Sequence, residues 1–144
     1  MLREMIKLHE GLRLKPYRCT AGRWTIGYGH NLEVNNEPIP DSITLEQAER
    51  YLDQDIASAE AGCRKQFPFF NALDDVRKAV LIDMCFNLGL NGLAGFKNML
   101  AAIDEKNFAR AGANMMSSKW AAQVRRRAVR LSNMMAYGKW PDGY

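Results

Sequence analysis

Glu10 ends a short helical pattern just before Gly11 and a Gly-rich stretch, a junction of the kind where clefts form. A carboxyl half-sheltered there has its charged form disfavoured and can donate a proton near neutral pH. Thr25 and His30 flank the Gly27/Gly29 pair a little further on. Taken singly, each has an ordinary structural use: a solvated glutamate, a strand threonine, a histidine bonded to a nearby acid. The three cysteines, Cys19, Cys63 and Cys85, are an odd set without metal-type spacing, so reduced thiols are expected rather than a disulfide framework. Cys85 lies in an apolar run and reads as a small core residue.

The elements that must position these groups follow from periodicity. Leu2, Met5, Leu8 and Leu12 stand near helical spacing, so residues 2–10 form an amphipathic helix stopped by Gly11. From Pro16 to His30, glycines punctuate Trp24-Thr25-Ile26 and Tyr28, the pattern of a hairpin or three-stranded sheet. Residues 35–42 read as loop. Thr44-Leu45-Glu46-Gln47 is a capping-box pattern opening a helix from about Leu45 through Ala59, with a polar outer face suited to linking two lobes. Asn71 to Leu88 is apolar nearly all round, which marks a buried helix, stopped near Asn91-Gly92. Three shorter helices are expected near Phe96–Asp104, Phe108–Met116 and Arg126–Tyr137, with Ser117-Ser118 as a break. The fold class is α+β: one domain over residues 1–144, in which residues 11–58 form a sheet-bearing lobe with its linking helix and residues 1–10 and 59–144 a helical lobe.

Composition sets the remaining bounds. With 47% hydrophobic and 25% charged residues, the 144-residue chain is an ordinary globular sequence rather than a disordered one. No apolar run reaches the ~18 residues of a membrane span. Residues 1–7 lack the apolar stretch of a signal peptide, so synthesis in the cytoplasm is expected. Net charge is +4, yet Lys119, Arg125, Arg126, Arg127, Arg130 and Lys139 fall in one acid-free stretch, leaving −2 on the rest. Such a face suits any polyanion: nucleic acid, a membrane surface or an anionic bacterial wall.

Glu10, then eight residues to Cys19, then five to Thr25-Ile26-Gly27-Tyr28-Gly29-His30, resembles the active-site stretch of the phage lysozymes of glycoside hydrolase family 24, which include those of the T-even phages. Ile43-Thr44, Ala48-Glu49 and Gln54-Asp55 look like the start of that family's interdomain helix. Asp75 to Ala79, Phe86-Asn87 and Gly92 to Phe96 resemble its buried helix and following turn. Ser118-Lys119-Trp120, Arg127-Ala128 and Gly138-Lys139-Trp140 resemble its C-terminal motifs.

The resemblance implies a lysozyme that cuts the β-1,4 bond between N-acetylmuramic acid and N-acetylglucosamine in peptidoglycan and lyses the host cell. Glu10 matches the general acid and Thr25 the hydroxyl that holds the attacking water. Arg127 matches an arginine that pairs with the catalytic glutamate, and His30 would pair with Asp55. Leu32, Phe86, Asn87 and Trp120 fall where the family meets its substrate, with Asn87 in place of an expected glutamine. No cofactor or metal is implied, nor a nucleic-acid partner or stable membrane insertion. A monomer is expected, reaching the periplasm after membrane permeabilisation.

Cys19 stands where most relatives carry the aspartate that activates the water. A thiol has a reference pKa of about 8.5 and is only a few per cent thiolate near pH 7. Either Cys19 is partly thiolate and takes the aspartate's role, or that role is lost and the enzyme is weak. A lytic transglycosylase, which needs only the acid, is the alternative chemistry; a basic helical nucleic-acid binder is the alternative class, though no known binding module accompanies the arginines.

Overall fold

The computed structural model describes residues 1–142. The chain divides into two compact units, residues 1–58 and residue 59 onward, with the boundary inside one helix. In the first unit, α1 (Leu2–Glu10) ends at Gly11, whose φ of 71° and ψ of 163° are open to glycine almost alone. An antiparallel sheet follows in the order β1 (Arg13–Arg18), β2 (Trp24–Gly27), β3 (His30–Asn31). Tyr17 stands opposite Thr25, Arg18 opposite Trp24 and Ile26 opposite His30, with an irregularity in β1 between Arg13 and Tyr17. Met5, Ile6, Ile26, Leu32, Ala48 and Leu52 form its buried apolar set. α1 was expected with the helical lobe; here it groups with the sheet and is tied to the next helix by Arg3 and Lys7, both paired with Glu49.

α2 (Leu45–Gln66) opens with the capping box: the Thr44 N–H donates to Gln47 Oε1 at 2.9 Å and the Gln47 N–H to Thr44 Oγ1 at 3.2 Å. It runs past Ala59 because Ala59, Cys63 and Phe67 continue the buried stripe at intervals of four.

The second unit is helical. A short 3-10 turn (Phe70–Ala72) precedes α3 (Asp75–Ala94), so the helix begins later than Asn71. Asp74 caps it, its carboxylate accepting the Arg77 N–H at 2.9 Å. α3 breaks at Gly89 (φ 75°, ψ 163°), a glycine conformation, and resumes to Ala94 rather than stopping at Asn91-Gly92. Then come α4 (Lys97–Asp104), α5 (Phe108–Met116), α6 (Lys119–Val124) and α7 (Arg126–Tyr137). The short α6 was not expected; Ser118 caps it by accepting the Ala121 N–H at 3.1 Å. Arg125, at φ 48°, turns the chain from α6 into α7. Phe70, Val80, Leu81, Met84, Leu93, Met99, Ile103, Met115 and Leu131 fill the core. Among the described residues no single helix is long and apolar enough to cross a membrane.

Candidate active site

Glu10 occupies the last position of α1, and its carboxyl lies against the backbone of Gly29. A Cβ built on Gly29 would stand 2.5 Å from Glu10 Oε1 and 3.0 Å from Cδ. Gly29 also has a φ of 74°, so both backbone conformation and space reserve this position for glycine. The second glycine of the Gly-Tyr-Gly motif thus makes room for the acid, a role that its reading as a turn residue did not capture.

Cys19 sits in the loop between β1 and β2. Its N–H donates to the Arg23 carbonyl at 2.9 Å, and its carbonyl accepts the Gly22 N–H at 2.8 Å. Two strand positions further, Thr25 is buried in β2, and its hydroxyl donates to the Arg23 carbonyl at 2.9 Å. Partial burial pushes the Cys19 thiol up, but hydrogen bonds from the backbone of Arg23 and Ala21 and from the Thr25 hydroxyl outweigh it and hold the thiol below its ordinary value. The Thr25 hydroxyl has one proton and two acceptors in reach, the Arg23 carbonyl and the sulfur. Ionisation of the sulfur turns that proton toward it; a neutral thiol leaves it on the carbonyl and donates to the oxygen instead.

Tyr17, opposite Thr25, joins the two halves of this arrangement. Burial pushes its phenol up, the negative charge of Glu10 and that of Cys19 add to this, and Arg13, stacked over the ring at 4.6 Å, opposes it. The phenol thus responds to both charges, and only its place in the β1 pattern could have suggested it.

His30 is clamped. Its Nδ1 lies 2.7 Å from Asp55 Oδ2, its Nε2 lies 2.9 Å from Glu37 Oε2, and its ring stacks on Tyr51 at 4.0 Å. Burial lowers the imidazole pKa, but the Asp55 and Glu37 carboxylates reverse the effect and raise it, favouring the charged ring in which both nitrogens donate. The clamp fixes β3, and with it the Gly29 backbone that Glu10 meets. Leu32, which continues from β3, is 1% exposed; its N–H donates to the Trp24 carbonyl and its carbonyl accepts the Glu37 N–H, both at 2.9 Å.

In the second unit, Trp120 Nε1 donates to Asn87 Oδ1 at 2.8 Å, and Phe96 packs edge-on against the indole with centroids 5.8 Å apart. Asn87 is exposed, Phe86 half-buried and Trp120 buried. Beside Trp120 lies a cavity of about 410 Å³ bounded by Phe96, Lys97, Asn98, Asn114, Ser118 and Lys119 among others. Asn114, one of its lining residues, has a buried Nδ2 with no hydrogen-bond partner in the protein. Arg127 is 8% exposed, and its Nε donates to Asp83 Oδ1 at 2.8 Å. Asp83 interrupts an otherwise apolar stretch of α3 and is fully buried, a placement that demands a cation; a lone acid between Ile82 and Met84 was the available signal. No cluster of metal ligands occurs among the described residues.

Residues 7–132 match the family described as phage lysozyme. An endolysin of Acyrthosiphon pisum secondary endosymbiont phage 1 is 38% identical over 81% of this chain and 74% of its own length. The probable T4-type lysozyme 1 of Dictyostelium discoideum is 28% identical over 95% of this chain and 94% of its own. The pre-baseplate central spike protein Gp5 of Enterobacteria phage T4 is 31% identical over 94% of this chain, which spans 27% of that protein. With its lysozyme-like α+β fold and this breadth of match, the chain belongs to the phage lysozyme family of peptidoglycan-lysing glycosidases.

Proposed function

We propose that the protein hydrolyses the β-1,4 bond between N-acetylmuramic acid and N-acetylglucosamine, with Glu10 as general acid and the Cys19/Thr25 pair as the group that holds and activates water. The observation that carries this reading is the hydrogen-bonded thiol and hydroxyl in the same small unit as a carboxyl seated on Gly29. Glu10 protonates the leaving glycosidic oxygen. Water oriented by Thr25 attacks the anomeric carbon and gives its proton to the Cys19 thiolate. His30, Asp55 and Arg127 support the site, and Phe86, Asn87 and Trp120 belong to substrate binding; Leu32, expected with them, is 1% exposed with both backbone groups bonded inside the protein and instead fixes the chain after β3.

In this reading residues 1–144 serve one lysozyme domain acting as a monomer, without cofactor, nucleic acid or membrane insertion. It is made in the host cytoplasm and reaches the wall once the membrane is permeabilised, steered by the basic stretch from Lys119 to Lys139. The thiol in the base position favours a second reading, a lytic transglycosylase. The masses of the released fragments separate the two, because hydrolysis adds one water to each broken bond and transglycosylation adds none.

Turbidity loss of outer-membrane-permeabilised Gram-negative cells tests the acid: Glu10→Gln is expected to lose about 10²- to 10⁴-fold in rate. A Glu10→Gln variant that lyses as fast as the parent overturns the assignment. Cys19→Ala is expected to lose most activity. Cys19→Asp keeps it and moves the acid limb of the pH–rate profile toward the lower carboxylate range; an unmoved limb removes Cys19 from the chemistry.

A further inference from the structure

Cys63 and Cys85 take no part in this chemistry, yet the fold brings them together. Cys63 lies in the last turn of α2, and Cys85 lies in α3 one turn after Leu81. Cys63 Sγ stands 3.8 Å from the Leu81 carbonyl oxygen, the same carbonyl that faces the Cys85 N–H along the helix. That places the sulfur against the 81–85 turn, close enough to the Cys85 thiol for each to shift the other's ionisation. Both are reduced, Cys63 fully buried and Cys85 at the edge of the core with 7% exposure.

The pair is electrically asymmetric. The hydrogen bond to Cys85, reinforced by burial, pushes the Cys63 thiol far up; the same bond holds the Cys85 thiol below its ordinary value against the effect of burial. Cys85 is therefore the thiol placed to react first, and its residue is the more exposed of the two. Two unrelated core cysteines need no such contact.

We propose that Cys63 and Cys85 are a dithiol pair that closes to a disulfide on meeting a disulfide-bearing oxidant, stapling the end of α2 to α3. The Cys85 thiolate attacks one sulfur of the donor disulfide, forming a mixed disulfide and releasing the first donor thiol. The Cys63 sulfur, giving up its proton, then attacks the Cys85 sulfur and releases the second. Two electrons and two protons end on the donor, and one Cys63–Cys85 bond forms. The staple encloses the 3-10 turn and the start of α3, and it restricts the unfolded chain more than the folded one. Its chemistry does not depend on the assigned catalytic roles. An enzyme whose substrate lies beyond the reducing cytoplasm would gain the staple on arrival.

The test incubates the full chain with oxidised glutathione, then alkylates under denaturing conditions and maps the peptides by mass. The expected result is a Cys63–Cys85 linked pair lighter by two hydrogens, with Cys19 outside the link. The expected rise in Tm is roughly 6–12 °C, reversed by dithiothreitol. Cys85→Ala and Cys63→Ala, each tested separately, show neither link nor rise. Refolding the denatured protein in the same buffer removes any barrier of access to the buried sulfurs. If both cysteines still alkylate after that refolding, or if the link formed involves Cys19, the proposal is overturned. Because no readout is lysis, its failure and that of the catalytic reading are told apart.

Discussion

In residues 1–58 the side chains that join one element to another are largely ionic. Arg3 and Lys7 of α1 meet Glu49, Arg3 also meets Asp53, and His30 of β3 meets Asp55 and Glu37. In the helical unit the joining side chains are mostly apolar; Arg77 on the Met135 and Ala136 carbonyls and Trp120 on Asn87 are polar, and the buried ionic exception is Asp83 with Arg127. The difference follows from size: a short three-stranded sheet, α1 and the first part of α2 enclose little apolar volume, so fixed charges hold what packing cannot. Those charges also suit a site that works by proton transfer. The two units therefore differ in what disturbs them: pH and salt for the first, and loss of volume or of one buried charge for the second.

The largest effect belongs to the exception. Asp83→Ala removes the buried carboxylate that accepts the Arg127 Nε–H at 2.8 Å, and a loss of about 3–5 kcal/mol in unfolding free energy is expected. Chemical denaturation measures it, and a loss below ~1 kcal/mol would mean that the pair is not the anchor of α3 on α7. Gly29→Ala comes next. The added Cβ must displace the Glu10 carboxyl, and a misplacement of this kind costs about 100-fold in rate, or ~2.7 kcal/mol in transition-state stabilisation. Gly89→Ala is the matched control: it too has a positive φ, 75°, but nothing lies within 4 Å of its added Cβ. It should cost roughly 1–3 kcal/mol of stability through backbone strain alone and leave the rate per folded molecule unchanged. Equal rate losses in the two variants would show that Gly29 matters only to folding.

Where one local rule decided an element, the sequence was legible. The Thr44–Gln47 box, the Gly11 stop and the Gly-punctuated sheet are each set by residues a few positions apart. Legibility failed where distant residues decide. α2 continues to Gln66 because Cys63 and Phe67 find a core to enter, and α6 exists because Ser118 finds a turn to cap. In the site, Glu10, Cys19 and Thr25 could be singled out through family resemblance. Glu37, Tyr17 and the space beside Gly29 could not, because each acts through a residue from another element. Asp83 was readable in principle, since an acid inside an apolar helix must have a partner, but only the fold shows that the partner is Arg127.

The most local effect separates the units most cleanly. His30 carries a raised pKa in the folded state, so its clamp contributes stability that is complete below the unfolded histidine value of about 6.5 and is lost as pH rises through the folded value. The neutral ring keeps one N–H and must turn a lone pair toward either Asp55 or Glu37, so one of the two bonds fails. Amide hydrogen exchange read separately along β2, β3 and α3 is the measurement. Protection in the two strands should fall on the alkaline side while that of α3 stays level, once the intrinsic pH dependence of exchange is removed. His30→Gln should abolish the pH dependence and cost about 1.5–3 kcal/mol at low pH, the value of a hydrogen bond to a charged partner. If protection in the strands and in α3 falls together, the charge of His30 stabilises the whole chain, and the contrast between an ionic and an apolar unit does not extend to how they unfold.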